Sequence, residues 1–428
     1  MSRMSRRSQQ PDPVVELIPG KPDRVSGGRL IELIDKELRV LRKLPVLSAH
    51  GNRQLQADHI VIAHLVGFFN PLVKSLRRIE DVFQSPKARQ RFGLPRVPRS
   101  TLADAQAMFD PSLLVPLIES LKARLPTLPL DPRLDEVTRQ LLAVDGTFFA
   151  MAPRIAWAVH HKYNNPQAAD HKGHVRVDIH FDLRHGVPHQ AFLSGEAISE
   201  QDALARHLRK GCLYLLDRGF QAYALLADII EAGSDFVVRV RQDQAFEILK
   251  ERSLSADDRL AGVVRDAEIR IQGHRARKGL GAQHVIRRVE IRRPDRPEPI
   301  VLLTNRLDLE AELIGLLYRH RWQIELFFRW LKCMANFQHF YSESQAGVTL
   351  QVYAALIGTL LIAVQTGSKP NVYTYSLMNH VISGLIDPDE APAIIARRLA
   401  ICARDAERAR ARRAEQARAR GASKKSAR

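Results

Sequence analysis

"CLYLLDRGFQAYALLADIIEAGSDFVVRV", Cys212 to Val240, decides the fold class. It opens with an apolar run of strand length that ends in an acid, Asp217. "AYALLADIIEAG" follows with helical character, and "DFVVRV" is a second strand rich in β-branched residues. A strand, a helix and a strand in this order imply an α/β class, a mixed sheet with helices on both faces. Upstream, "QLLAVDGT" (Gln140 to Thr147) repeats the first pattern and ends its apolar run at Asp145. "HVRVDIHFDLRHGVP" (His174 to Pro188) alternates strictly. Val175, Val177, Ile179 and Phe181 lie on one face, Arg176, Asp178, His180 and Asp182 on the other. That is the pattern of a half-buried strand, and Gly186 begins a turn into "HQAFLSG", so an antiparallel hairpin is expected. Asp178, His180 and Asp182 read first as the wet side of that sheet, with a place beside bound ions as the other reading.

Outward from this centre the texture changes. Residues 1–25 are dominated by Ser, Arg, Gln and Pro with no apolar period, the composition of a disordered basic terminus. Residues 26–135 read as helical. In "QADHIVIAHLVGFFNPLVKSLRRIEDVF" (Gln56 to Phe83) apolar residues recur at helical spacing, and Pro71 divides or kinks the run. In "LPRVPRSTLADAQAMF" (Leu94 to Phe109), Ser100 or Thr101 offers an N-cap, and Thr101 with Asp104 matches a capping box. Short helices with basic connections suit a DNA-binding region; a helical collar on the next domain fits the same pattern. Residues 241–299 are polar and Arg-rich, with strand-like "AEIRI" and "VIRRVEI" around the Gly-rich "GHRARKGLGAQH", and are expected to form a β-rich insertion. Arg287, Arg288, Arg292 and Arg293 suit either a grip on a DNA backbone or a solvated strand surface. "IVLLTN" restores an apolar strand at residue 300. Val348 to Val364 is about as long as the shortest membrane span. It carries Thr349, Gln351 and Thr359, and reads as a buried helix. From Arg397 onward there are 12 Lys plus Arg against 3 acids, a low-complexity basic tail.

The 428 residues suggest two or three units, and 45% hydrophobic content supports a folded core. The 65 Lys and Arg outnumber the 47 Asp and Glu for a net charge of +18, which points to a polyanion partner. No basic amphipathic helix or lipidation motif directs that charge to a membrane, so nucleic acid is the partner expected. Cys212, Cys333 and Cys402 stand far apart without metal-ligand spacing, and support neither a zinc knuckle nor a disulfide framework. With no apolar segment behind the basic N-terminus, a cytoplasmic location is expected.

"YRHRWQIELFFRWLK", Tyr318 to Lys332, reads as one helix. At about 100° per residue, Arg321, Glu325 and Lys332 fall near −60°, −20° and −40° from Tyr318, so all four share a stripe. A solvated surface helix produces such a stripe. The crowd of Trp322, Ile324, Leu326, Phe327, Phe328, Trp330 and Leu331 requires much of the helix to be buried, and a polar stripe on a buried helix faces a site. Trp322 and Trp330 read first as helix packing, with stacking on an extruded base as the other reading. Asp145 and Asp217, each with a glycine within two positions, suit the crevice at the strand ends of an α/β sheet. An N-cap or Asx turn is the common fate of a lone Asp there.

"DGT" at Asp145, "LDRGF" at Asp217, and Y-x2-R-x3-E-x6-K at Tyr318, Arg321, Glu325 and Lys332 resemble the DDE-type transposases of bacterial insertion sequences, the insertion sequence 4 group. The resemblance spans roughly residues 90 to 365. It implies an RNase H-like fold in two parts, residues 136–240 and 300–366, interrupted by the insertion at 241–299. A helical C-terminal region and basic tail complete the chain at 367–428. The 107 residues between Asp217 and Glu325 leave room for the insertion.

It also implies Asp145, Asp217 and Glu325 as catalytic metal ligands, for two Mg²⁺ ions about 3.5–4 Å apart with Mn²⁺ as a substitute. An all-carboxylate set is what Mg²⁺ prefers. Tyr318, Arg321 and Lys332 become DNA-binding residues, Arg by a bidentate fork and Lys as a point charge. The implied activity is cleavage at the ends of the element and joining of the freed 3′-hydroxyls to target DNA. The implied partners are terminal inverted repeats, target DNA and a second copy of the chain in a synaptic homodimer at the bacterial nucleoid. A catalytically inactive or domesticated DNA-binding derivative, and an RNase H-like nuclease without strand transfer, are the competing readings.

Overall fold

A computed structural model describes residues 27–44, 54–70, 73–125, 133–134, 137, 139–150, 174–195, 198–242, 245–273, 279–280, 284–293, 297–334, 340–366 and 372–382, and 385–386, 390, 393–398, 400–401, 404–405 and 407–408. The strands are β1 (Gln140–Ala150), β2 (His174–Asp182), β3 (Val187–Ser194), β4 (Cys212–Leu216), β5 (Asp235–Val240), β6 (Phe246–Glu251), β7 (Val263–Ile271), β8 (Ile286–Ile291) and β9 (Ile300–Thr304). The helices before the sheet are α1 (Gly28–Glu32), α2 (Asp35–Arg42), α3 (Ala57–Phe69), α4 (Leu76–Gln84), α5 (Pro86–Phe92), α6 (Arg99–Met108) and α7 (Val115–Ala123). Within and after it come α8 (Glu200–Ala205), α9 (Tyr223–Glu231), α10 (Ala256–Leu260), α11 (Ala311–His320), α12 (Trp322–Met334), α13 (Gln345–Thr366) and α14 (Val372–Ile382).

All nine strands form one sheet in the order β3-β2-β1-β4-β5-β9-β8-β7-β6. β1, β2 and β3 are antiparallel, whereas β1, β4 and β5 are parallel. This is the RNase H-like arrangement. Period-2 alternation divides the apolar residues of the central strands between two layers. Leu141, Ala143, Leu213, Leu215, Val237 and Leu302 join the core that includes Ile314, Ile324 and the apolar side chains of α13. Leu142, Val144, Tyr214, Leu216, Phe236 and Val238 join the core on the other face with Leu225, Leu226 and Ile229 of α9. Helices therefore cover both faces.

The inserted strands continue the sheet. β9 lies between β5 and β8, and β7 and β6 extend the same antiparallel ladder. That continuity buries two of the arginines read as a DNA grip or a wet surface. Arg287 is 1% exposed and clasps Asp266 with Nε–Oδ1 at 2.8 Å and Nη2–Oδ2 at 2.7 Å. Arg288 is buried as well, paired with Glu290 and lying 4.6 Å from the centre of the Phe246 ring.

The polar face of β2 departs from expectation in the same direction. Arg176, Asp178, His180 and Asp182 are all buried. Arg176, Asp178 and Asp182 are matched by hydrogen-bonding neighbours, as buried polar groups require, whereas His180 Nδ1 meets no hydrogen-bond partner among the described residues. Arg176 donates to Asp178 at 2.9 Å and to the Ile198 carbonyl at 2.6 Å. Asp182 accepts the Arg184 and His185 amides, and His180 lies edge-on to Phe192 and Tyr214.

α13 is long and apolar enough to cross a membrane, yet it is buried along most of its length and packs on α3, α6, α7 and β3. α3 is buried at all thirteen positions and ends at Phe69, two residues before Pro71. The helices α3, α6 and α7 thus pack on α13, which in turn packs on β3. α6 begins at Arg99, without a side-chain cap from Ser100 or Thr101. The Arg99 amide donates instead to Glu80 of α4 at 3.1 Å, so a tertiary contact supplies the cap. The disordered reading of residues 1–25 and most of the basic tail lie outside the described residues.

Candidate active site

β1 and β4 part company at the site. Their parallel pairing ends at Ala143 and Leu215, after which β1 continues against β2 alone. Asp145 therefore stands in mid-strand, opposite Ile179, rather than at a strand end as expected. The fork still gives its carboxylate the place that a strand end would. Asp217 follows the last residue of β4, at the strand end as expected, and accepts the Gly219 amide at 2.7 Å, which is the Asx turn. Asp145 accepts the Gly146 amide at 2.8 Å.

The stripe from Tyr318 to Lys332 is carried by two helices rather than one. α11 and α12 meet at Arg321, where Arg321 N–H reaches the Tyr318 carbonyl and Ile324 N–H reaches the Arg321 carbonyl, both three residues back. α11 packs on β4 and β5, and α12 packs on β1. Ile324, Phe327, Phe328 and Leu331 form the buried face of α12 at helical spacing, with Phe327 against Phe181 of β2 at 5.3 Å. Glu325 is left at the rim, partly exposed. Its carboxylate pairs with Arg321, whose guanidinium lies 5.7 Å from the Tyr318 ring centre. Nε and Nη1 of Arg321 are buried and meet no acceptor among the described residues.

These groups share one electrostatic environment. Burial pushes the Asp145 carboxyl up to about 6, and the Asp217 and Glu325 charges push in the same direction while the Gly146 amide and Arg321 oppose them. Burial also raises the Tyr318 hydroxyl above its usual range. The structure thus brings Asp145, Asp217, Tyr318, Arg321 and Glu325 together. Lys332 lies on α12, and its side chain is outside the described residues, as is that of Trp330.

Sequence reasoning missed Glu200. It opens α8, and burial together with the Asp145, Asp217 and Asp178 charges raises its carboxyl to about 7. Ser199 followed by Asp202 at capping distance marks a helix start at that point, but nothing in the sequence aims the first residue of that helix at the sheet.

Beside Glu325 opens a groove of about 610 Å³ lined by Arg239, Arg292, Arg319, Arg321 and Trp322 over Ile300 and Leu302. Trp322 is 51% exposed there, so helix packing does not account for it. Among the described residues no three His, Cys, Asp or Glu side chains already form a closed metal-binding set. The donors at the site are nevertheless all carboxylate oxygens, the set that a hard divalent cation takes.

The family profile described as "Transposase DDE domain" matches residues 137–361, more than half of the chain. The chain belongs to this transposase family. The matched stretch of the transposase domain runs from just before β1 into α13 and includes Asp145, Asp217 and the whole of α11 and α12. A protein of Sinorhizobium fredii named transposase y4zB is 32% identical over 240 residues, 54% of this chain and 64% of that protein. A Geobacillus stearothermophilus protein named for the transposase of insertion sequence element IS5377 is 26% identical over 240 residues, 55% of this chain and 59% of that protein. The chain thus spans somewhat under two thirds of the length of these relatives. Among solved structures, the piggyBac transposase in a synaptic complex with hairpin DNA is matched at 9% identity. That match covers 90% of this chain and 81% of the other with a TM-score of 0.38, and adds nothing to the strand order itself.

Proposed function

We propose that this transposase cleaves the ends of an insertion sequence and joins them to target DNA at the site formed by Asp145, Asp217 and Glu325. The observation that carries the reading is the convergence of these three acids, from β1, the end of β4 and α12, around the buried guanidinium of Arg321. A carboxylate set of this composition suits Mg²⁺, or Mn²⁺ in its place. Two such ions, when bound, would activate the attacking oxygen and neutralise the departing one.

The residues of the chain do the rest. Arg321, with two donors left over after pairing Glu325, holds a phosphate oxygen of the scissile strand. Tyr318 stacks or hydrogen-bonds at the element end, and Lys332, seven residues beyond Glu325, supplies a point charge. Arg239, Arg292 and Arg319 line the approach for the phosphate backbone. Hydrolysis of the end and attack by its 3′-hydroxyl use the same carboxylates in turn. The basic tail and the synaptic homodimer belong to the same reading, as does a place at the bacterial nucleoid.

The test is Mg²⁺-dependent joining of a labelled duplex, carrying the inverted repeats that flank the gene, to plasmid DNA. Cleavage followed by joining is expected, both lost in Asp145→Asn, Asp217→Asn and Glu325→Gln with duplex binding retained. Nicking without joining identifies a nuclease, and binding without nicking a DNA-binding derivative; either result overturns the proposal.

A further inference from the structure

We propose that Glu200 is a fourth carboxylate of the divalent-ion site, placed to ligate a cation together with Asp145 and Asp217; this rests on the metal-dependent reading of the site above. The argument begins with two glycines. A methyl group added at Gly146 would stand 3.3 Å from Glu200 Oε1 and 2.8 Å from Asp178 Oδ1. One added at Gly219 would stand 3.2 Å from Glu200 Oε2 and 3.0 Å from Asp217 Oδ1. Glu200 thus directs one oxygen toward the residue after Asp145 and the other toward the turn that carries Asp217. The gap it enters is open because neither neighbour has a side chain.

The placement is built. Arg176, itself almost wholly buried, donates to the Ile198 carbonyl at 2.6 Å and the Ser199 carbonyl at 3.2 Å, tying the start of α8 to β2. Ser199 caps the helix by accepting the Asp202 amide at 3.0 Å. Gln201 donates to the Gly219 carbonyl, fastening the same turn to the Asp217 loop. A surface glutamate needs none of these anchors.

Around it stand the charges of Asp145, Asp217 and Asp178, offset in part by Arg176. Asp178 is held by Arg176 at 2.9 Å, whereas no Lys, Arg or His among the described residues pairs with Glu200. Like charges gathered in a partly buried space are unfavourable unless a proton or a cation joins them. Mg²⁺ and Mn²⁺ accept oxygen ligands from several carboxylates at once, and a fourth donor on the β1–β4 side balances a site whose third, Glu325, is shared with Arg321.

The experiment titrates Mn²⁺ alone into the full chain, with free Mn²⁺ read by electron paramagnetic resonance, for wild type, Glu200→Gln and Asp145→Asn. Loss of one ion per chain, or affinity weakened by about tenfold or more, is expected for Glu200→Gln. Its thermal midpoint without metal is expected to equal or exceed that of wild type, because a repelled charge has been removed. A Glu200→Gln titration matching wild type while Asp145→Asn is impaired overturns the assignment of Glu200 alone. A lower metal-free midpoint also overturns it, by giving the carboxylate a structural partner. Failure of wild type itself to bind Mn²⁺ removes the metal-dependent reading and this inference with it.

Discussion

At the scale of single residues, arginine illustrates how context sets meaning. Arg287 and Arg321 both carry partly or wholly buried guanidinium groups, but Arg287 has its donors filled and Arg321 does not. For Arg287, removal breaks the bidentate clasp on Asp266, which is 3% exposed, and leaves it only the longer pairing with Arg252 at 3.6 Å. Arg287→Met is therefore expected to cost up to about 3–5 kcal/mol in denaturant unfolding. Arg287→Met with Asp266→Leu should recover much of that, and equal loss in the single and double variants would contradict the account. For Arg321, the spare Nε and Nη1 are assigned to DNA. Arg321→Lys keeps the charge and loses the fork, so single-turnover end cleavage should fall roughly 10- to 100-fold, the equivalent of one to two charged hydrogen bonds. Unchanged cleavage would remove Arg321 from phosphate contact.

At the scale of elements, the central strands and the acids at their fork are readable because period-2 alternation and an acid after an apolar run are local signals. Glu200 was not readable, since its role depends on two glycines from other elements and on Arg176 reaching across from β2. The polar face of β2 misleads for a related reason: alternation reports which residues share a face, not whether another element covers it. The break between α11 and α12 leaves no Gly or Pro signature in the sequence. Capping shows the same division. Ser100 and Thr101 satisfy the local rule, but Glu80 takes the first amide of α6. Glu80→Ala should therefore lower stability by about 1 kcal/mol, while Ser100→Ala and Thr101→Ala leave the thermal midpoint nearly unmoved. The reverse ranking would restore the local cap.

At the scale of the whole molecule, two sets of buried or basic groups fix the response to solution conditions. On the proposed reading, the excess of 18 positive charges makes affinity for DNA a function of salt. If roughly six to ten phosphates are neutralised, affinity should drop by about 10³ to 10⁵ between 50 and 200 mM salt, and a flat profile would exclude a backbone-dominated interface. Acid sensitivity has a separate origin in His64 of α3, His180 of β2 and His189 of β3, each lowered to about 3, mainly by burial. In the unfolded chain each takes a proton near pH 6.5, whereas in the fold each stays neutral until about pH 3. Their contribution is thus complete above pH 6.5 and declines as pH falls below it, by up to about 1.4 kcal/mol per unit for each histidine. Three together would consume a typical domain stability of about 5–15 kcal/mol within a few units. Thermal midpoints measured from pH 7.5 to 5 should fall steeply below 6.5. His64→Gln, which cannot take up a proton in either state, should show a shallower decline. A wild-type midpoint that stays level to pH 5 would mean that these rings gain protons in the fold as easily as in the open chain.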